Sequence, residues 1–152
     1  MPAAPNTHFD VIHDSLSFQT GAKSIQIITR PVADWLQSIG AISGTVTLFI
    51  QHTSASLTIQ ENADPTVQDD LLSYLEDLAP QGRHYVHSYE GPDDMPAHLK
   101  TALTSVSETI PVNHGQMLLG QWQGIYLIEH RAHRHQRQIR LCFTGLRQAD
   151  SL

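Results

Sequence analysis

Apolar and polar residues alternate, or nearly so, through Phe9 to Phe18 and again through Lys23 to Thr29. The two stretches flank Thr20-Gly21, a pattern that predicts a hairpin. The period then lengthens. Val32, Trp35, Leu36 and Ile39 recur at helical spacing, Pro31 suits a first helical position and Gly40 is a natural stop. From Gly44 to Gln51 the period returns to two, with Val46, Leu48 and Ile50 on one face and Thr45, Thr47 and Gln51 on the other, and His52 continues the apolar parity.

Ser56 to Gln60 reads as another strand. Asp64-Pro65 opens a helix that runs to about Leu78, with Asp64 as N-cap and Val67, Leu71, Leu72, Leu75 and Leu78 as its apolar stripe. Arg83 to Tyr89 is expected to be extended. Asp93 or Asp94 begins a third helix whose inward face is Met95, Leu99, Ala102, Leu103 and Val106. Strands follow at Glu108 to Val112, Gln116 to Leu119, Gly124 to Glu129 and Arg137 to Thr144. Strands dominate and helices are interspersed, so the expected architecture is an α+β domain spanning residues 1–152. Its mixed β-sheet would be half-barrel or sandwich-like, with about three helices.

Composition changes this picture mainly by exclusion. The 152 residues are 40% hydrophobic and 16% charged, enough apolar mass for one sizeable core and not for two. Runs such as Val46 to Ile50 fall far short of the roughly 20 residues that cross a bilayer. The N-terminal stretch has no basic start and no apolar segment of secretory length, so a cytoplasmic protein is expected. The single cysteine, Cys142, leaves any metal to histidines and carboxylates. The net charge of −6 disfavours nucleic acid as a partner. The charge is also segregated: nine of the fifteen acids lie between Glu61 and Asp94, and five of the nine basic residues between Arg131 and Arg147. Such a division suits a phosphate-bearing ligand held beside a cation.

The candidate chemistry lies between His52 and His98. His52 sits where an apolar strand parity runs off its end, followed by Thr53-Ser54-Ala55-Ser56. Glu61-Asn62-Ala63-Asp64 places three oxygen-bearing side chains in the turn before a helix, where a solvated cap is the plain alternative to a cation or ligand site. His87 shares strand parity with Tyr85 and Tyr89, and His98 lies beside Leu99 on the third helix. One histidine from each of three elements is a supply that suits a zinc-type centre with an open position. The stretch from His130 to Arg137 looks metal-like, but interspersed arginines repel a cation, so an exposed hairpin connection is expected there. Arg137 and Arg140 fall on the last strand, and only one of the two can face a given site. Gly120-Gln121-Trp122-Gln123-Gly124 reads either as a glycine-flanked turn covering core or as a pocket wall. Ser54 and Ser56 lack the nucleophile elbow of a serine hydrolase.

Taken in order, His52-Thr53-Ser54-Ala55-Ser56, Glu61-Asn62-Ala63-Asp64-Pro65, His87 with Glu90 to His98, and Gly120 to Gly124 closely resemble the YjbQ-like family, described as secondary thiamine-phosphate synthases. The resemblance covers nearly the whole chain. It implies a compact α+β domain assembled as a homotrimer, with a divalent metal at the positions matching His52, His87 and His98. Zinc fits those ligands before magnesium. It also implies that Glu61 and Asp64 act at the site and that Asn62, Trp122 and Arg137 contact substrate. The implied reaction joins hydroxymethylpyrimidine diphosphate to a thiazole phosphate, so the partner is a small phosphorylated substrate. Diphosphates travel with magnesium on oxygen ligands, and a histidine-bound metal fits that chemistry less well. Two further classes therefore stand beside the transferase: a hydrolase using metal-activated water with Glu61 or Asp64 as base, and a non-catalytic metal- or ligand-binding module.

Overall fold

The structure, a computed structural model, describes residues 6–148. Its elements are β1 (Thr7–Thr20), β2 (Ser24–Ile27), α1 (Thr29–Ser38), β3 (Ala41–Ile50), β4 (Ala55–Glu61), α2 (Pro65–Leu78), α3 (Asp94–Leu103), β5 (Ser107–Asn113), β6 (Gln116–Met117), β7 (Gln123–Glu129) and β8 (His135–Gln148). They form the expected α+β fold with three helices. One sheet has the order β1-β8-β3-β5-β6 and the other β2-β7-β4, and every pairing between them is antiparallel.

The two sheets share one core. Val46, Leu48 and Ile50 of β3 and Ile139, Leu141 and Phe143 of β8 meet Leu57 of β4 and Ile125 and Leu127 of β7, and α1 adds Val32, Trp35 and Leu36. β7 is buried along both faces, with Ile125, Tyr126, Leu127 and Ile128 fully enclosed. Alternation explains this: Ile125 and Leu127 face the core, while Tyr126, Ile128 and then His130 face the opposite way, toward α2 and α3. The core is tightest where β3 passes β8 at Gly44 and Gly145. A Cβ on Gly44 would lie 2.1 Å from the Thr144 carbonyl oxygen, so only glycine fits there.

Several expected elements are corrected. β1 and β2 form no hairpin: β1 pairs along its full length with β8, from Thr7↔Gln148 to Thr20↔His135, and β2 pairs with β7. Thr20-Gly21 is thus the point where the chain leaves one sheet for the other. The Arg83 to Tyr89 stretch is loop, with Val86 and Tyr89 both 95% exposed. Alternation alone made it look extended, but no neighbouring strand supplies its ladder. The strand expected from Gln116 to Leu119 shortens to Gln116–Met117.

Of the two later helices, α2 keeps the expected orientation and α3 is turned from it. α2 turns its expected stripe inward, with Leu75 buried and Val67, Leu71 and Leu72 half-buried, and only the last member, Leu78, is exposed. In α3 the buried residues are Asp94, Pro96, Ala97, Lys100 and Thr101, while Ala102 and Leu103 are exposed. Paired polar groups outweigh the apolar stripe: Lys100 bonds Glu76, Thr101 donates to the Ala97 carbonyl and Asp94 meets Arg131.

Candidate metal centre

The turn between β3 and β4, the segment after β7, the loop between α2 and α3, and the start of α3 converge at one end of the two-sheet core. Asp94 is the first residue of α3, and its side chain is 2% exposed. Its Oδ2 lies 2.8 Å from His87 Nε2 and 3.0 Å from His98 Nε2. His98 stands one helical turn after Asp94, the spacing that puts two side chains on one face. His87 arrives from the loop and sets its ring 5.5 Å from that of His98, tilted by 53°. One ligand atom from each of His87, Asp94 and His98 falls within 4.8 Å of the other two, the geometry of a metal-holding group.

The protons decide what this cluster can hold. His98 Nδ1 lies 2.8 Å from the Thr53 carbonyl oxygen, which can only accept, so Nδ1 carries the proton. In the neutral imidazole Nε2 then presents a lone pair, and it faces a carboxylate oxygen that also only accepts. A cation bound between the two atoms would turn that opposition into coordination, and a fixed tautomer with its other nitrogen on a carbonyl is the usual support of a metal-binding histidine. Two imidazoles and a carboxylate fit a zinc-type ion.

Around the cluster lies a second ring of charge. Arg131 places Nη1 2.9 Å from Asp94 Oδ1, Nε 2.8 Å from Asp93 Oδ2 and Nη2 2.9 Å from the Glu90 carbonyl. Burial alone would push Asp94 up, but the hydrogen bond from His87 and the charge of Arg131 hold its carboxyl below the usual range. Burial likewise works against Asp93, yet Arg131 and the Ala132 N–H bring it down to about 2. Further in, Arg137 donates from Nε and Nη2 to both oxygens of Glu129, at 2.7 and 2.5 Å, and from Nη2 to Ser54. Despite its burial, Glu129 is held below the ordinary carboxylate range by Arg137, Thr20 and the Arg131 N–H.

The structure brings His87 and His98 together and adds Asp94. His52 stands apart from that group. Its Nε2 accepts the Gln138 N–H at 2.9 Å and its Nδ1 lies 3.3 Å from Arg137, although its ring borders the same hollow as His98. Burial, then the Arg137 charge, push the His52 imidazole below its ordinary value. Glu61, Asn62, Asp64 and Trp122 gather at the opposite end of β4, with Glu61 about 20 Å from Ala55 by strand rise. There Glu61 accepts the Ala63 and Asp64 N–H groups, and Asp64 caps α2 by accepting from Thr66. Asn62 clasps the turn by donating to the Gln121 and Gln123 carbonyls, and Trp122 is exposed. The substrate fork expected of Arg137 is occupied by Glu129, a carboxylate from the chain itself.

Sequence reasoning missed Asp93, Asp94, Glu129 and Arg131. The Asp94-to-His98 spacing was a readable signal for a shared helix face, but helix-start chemistry accounted for both acids. The expected exposed connection after β7 is also corrected in part: His130 is buried and Arg131 largely so, while Ala132, His133 and Arg134 are exposed. The arginine there, Arg131, is paired with Asp93 and Asp94. It neutralises the acids that flank it.

Known proteins match most of the chain. The model for the UPF0047 protein YjbQ-like family matches residues 14–146. A UPF0047 protein of Synechocystis is 47% identical over 131 residues, covering 86% of this chain and 89% of that one. UPF0047 protein YjbQ of Salmonella typhimurium is 42% identical over 124 residues, 81% and 90% of the two chains. Among solved structures, the conserved hypothetical protein TT1486 from Thermus thermophilus superposes with a TM-score of 0.75 at 36% identity, covering 84% of this chain and 97% of that one. A protein of unknown function from Sulfolobus solfataricus shares the fold with a TM-score of 0.84 at 24% identity, covering 91% and 99%. With sequence matches spanning nearly the full length on both sides and the same fold in the solved structures, the chain belongs to the UPF0047, YjbQ-like family.

Proposed function

We propose that this chain is a metal-dependent enzyme acting on a small phosphorylated substrate, with its ion held by His87, Asp94 and His98. The observation that carries this reading is the His98 imidazole, with Nδ1 2.8 Å from the Thr53 carbonyl and Nε2 3.0 Å from Asp94 Oδ2, where the neutral ring would present its lone pair. A divalent ion bound there would polarise a substrate oxygen or make a water molecule acidic. The chain supplies the setting. Arg131 holds Asp94 in place, Thr53 fixes the His98 tautomer, and a hollow of about 330 Å³ beside His87 is lined by Arg83, His84, Tyr85 and Ser88. Arg83 and His84 suit an anionic substrate group.

Two reactions compete within this reading. A nitrogen-rich centre favours hydrolysis at the metal. The thiamine-phosphate synthase reaction implied by the family resemblance requires cationic groups for a departing diphosphate, and Arg137 is committed to Glu129. Glu61 and Asp64, the expected general bases, would have to come from another copy of the chain, as in the homotrimer that the resemblance implies. Purified protein should release phosphate or alcohol from a panel of small phosphoesters and related esters and amides. That release should be abolished by chelation and restored by zinc, and His98→Ala should abolish it with the fold intact. Turnover with the pyrimidine diphosphate and thiazole phosphate pair, and none on the panel, would move the assignment to the synthase. Metal binding without turnover in either arm would leave a binding module and contradict the enzymatic reading.

A further inference from the structure

Resting on the metal-centre reading above, we propose that Arg131 is a positioning residue that makes Asp94 a one-oxygen ligand and so sets which ions the centre accepts. A carboxylate has two oxygens, and hard cations such as calcium commonly take both. Here Oδ1 is already engaged: Arg131 Nη1 lies 2.9 Å from it, leaving Oδ2 alone to face His87 and His98. The guanidinium cannot readily turn away. Its other two nitrogens hold Asp93 Oδ2 at 2.8 Å and the Glu90 carbonyl at 2.9 Å, so all three point at fixed acceptors.

The backbone of Arg131 is equally restrained. Its N–H donates to Glu129 Oε2 at 3.1 Å and its carbonyl accepts from the Lys23 N–H at 2.8 Å. Glu129 is itself gripped by Arg137. The plane that fixes Asp94 therefore rests on the buried end of β7, with the side chain of Arg131 only 13% exposed. The donor set left to an ion is two imidazole nitrogens and one oxygen, and the nearby guanidinium offsets the carboxylate charge. Such a set suits zinc or cobalt, which take imidazole, and penalises magnesium and calcium, which want several oxygens.

Cobalt(II) reports coordination number directly through the intensity of its visible bands, so the test loads cobalt into the wild type, Arg131→Ala and Arg131→Lys. The wild type should show the strong bands of a four-coordinate ion. Arg131→Ala frees Asp94 Oδ1 for the ion, and absorbance per bound cobalt should fall several-fold. The preference for zinc over magnesium in competition should fall about tenfold or more, the scale expected when a ligand loses its outer partner. Arg131→Lys keeps the charge and stem but cannot reach three acceptors at once, so it should show the same change in weaker form. It decides the matter if Arg131→Ala does not fold. Wild-type bands and wild-type ion preference in a folded, cobalt-loaded variant would overturn the role of Arg131 and leave the metal centre standing. No cobalt bound by the wild type would overturn both.

Discussion

His130 is a histidine that the fold keeps uncharged. Its Nε2 lies 2.7 Å from the buried Ser56 hydroxyl, and burial followed by the charge of Lys100 brings its pKa from 6.5 to about 3. Between those two values the unfolded chain binds a proton that the native chain refuses. Stability therefore falls as pH drops below about 6.5, by roughly 1.4 kcal/mol for each pH unit across the window. Denaturant melts at pH 7.5 and 5.5, with a chelator present so that metal loss does not contribute, should show this loss in the wild type and a clearly smaller one in His130→Gln. Equal losses in both proteins would contradict the assignment. The same residue shows what a sequence hides. His130 stands among arginines and reads as surface, and nothing in its neighbours reveals that it continues the buried alternation of β7. His98 was legible because an inward imidazole needs two partners. Asp94 was not, because an acid at a helix start already has a reason to be there.

The loop from 80 to 90, between α2 and α3, is exposed nearly throughout. Among the described residues its hydrogen bonds from 80–90 to the rest of the fold are His87 on Asp94 and the Glu90 carbonyl under Arg131. If His87 is a metal ligand, the ion ties this loop to α3. Chymotrypsin should then cut at Tyr85 or Tyr89 markedly faster after chelation than with zinc, and equal rates would show that the ion does not hold the loop. The strands are the opposite case. At the β3–β8 crossing, Gly44→Ala forces a methyl group against the Thr144 carbonyl, and such overpacking should cost about 1–3 kcal/mol, read as a lower thermal midpoint. A wild-type midpoint would contradict the close approach. Period-two patterning made β3, β5 and β7 legible almost to their ends. It failed for the hairpin of β1 and β2 because pairing partners are set by contacts more than a hundred residues apart in the chain. Helical spacing made the inward face of α2 legible apart from Leu78, but failed for α3, where paired polar groups took the buried side.

At the scale of the molecule, the charge segregation seen in the sequence resolves into contact. Acids at the start of α3 meet a basic side chain after β7, through Arg131 with Asp93 and Asp94. The residues singled out by their resemblance to the family divide into two groups at opposite ends of β4. Only the group at the β4 start, at His98 and Thr53, forms a cluster with metal-holding geometry among the described residues. No described helix is long and apolar enough to cross a membrane. The central claim is that His87, Asp94 and His98 hold the ion and that His52 does not. Elemental analysis of purified, zinc-loaded protein, run on the wild type, Asp94→Ala, His98→Ala and His52→Ala with folding checked by circular dichroism, tests it most directly. The account predicts about one ion per chain in the wild type and His52→Ala, and its loss in Asp94→Ala and His98→Ala. A wild type that binds no ion under any loading condition, or an Asp94→Ala protein that keeps its ion while His52→Ala loses it, would contradict the account.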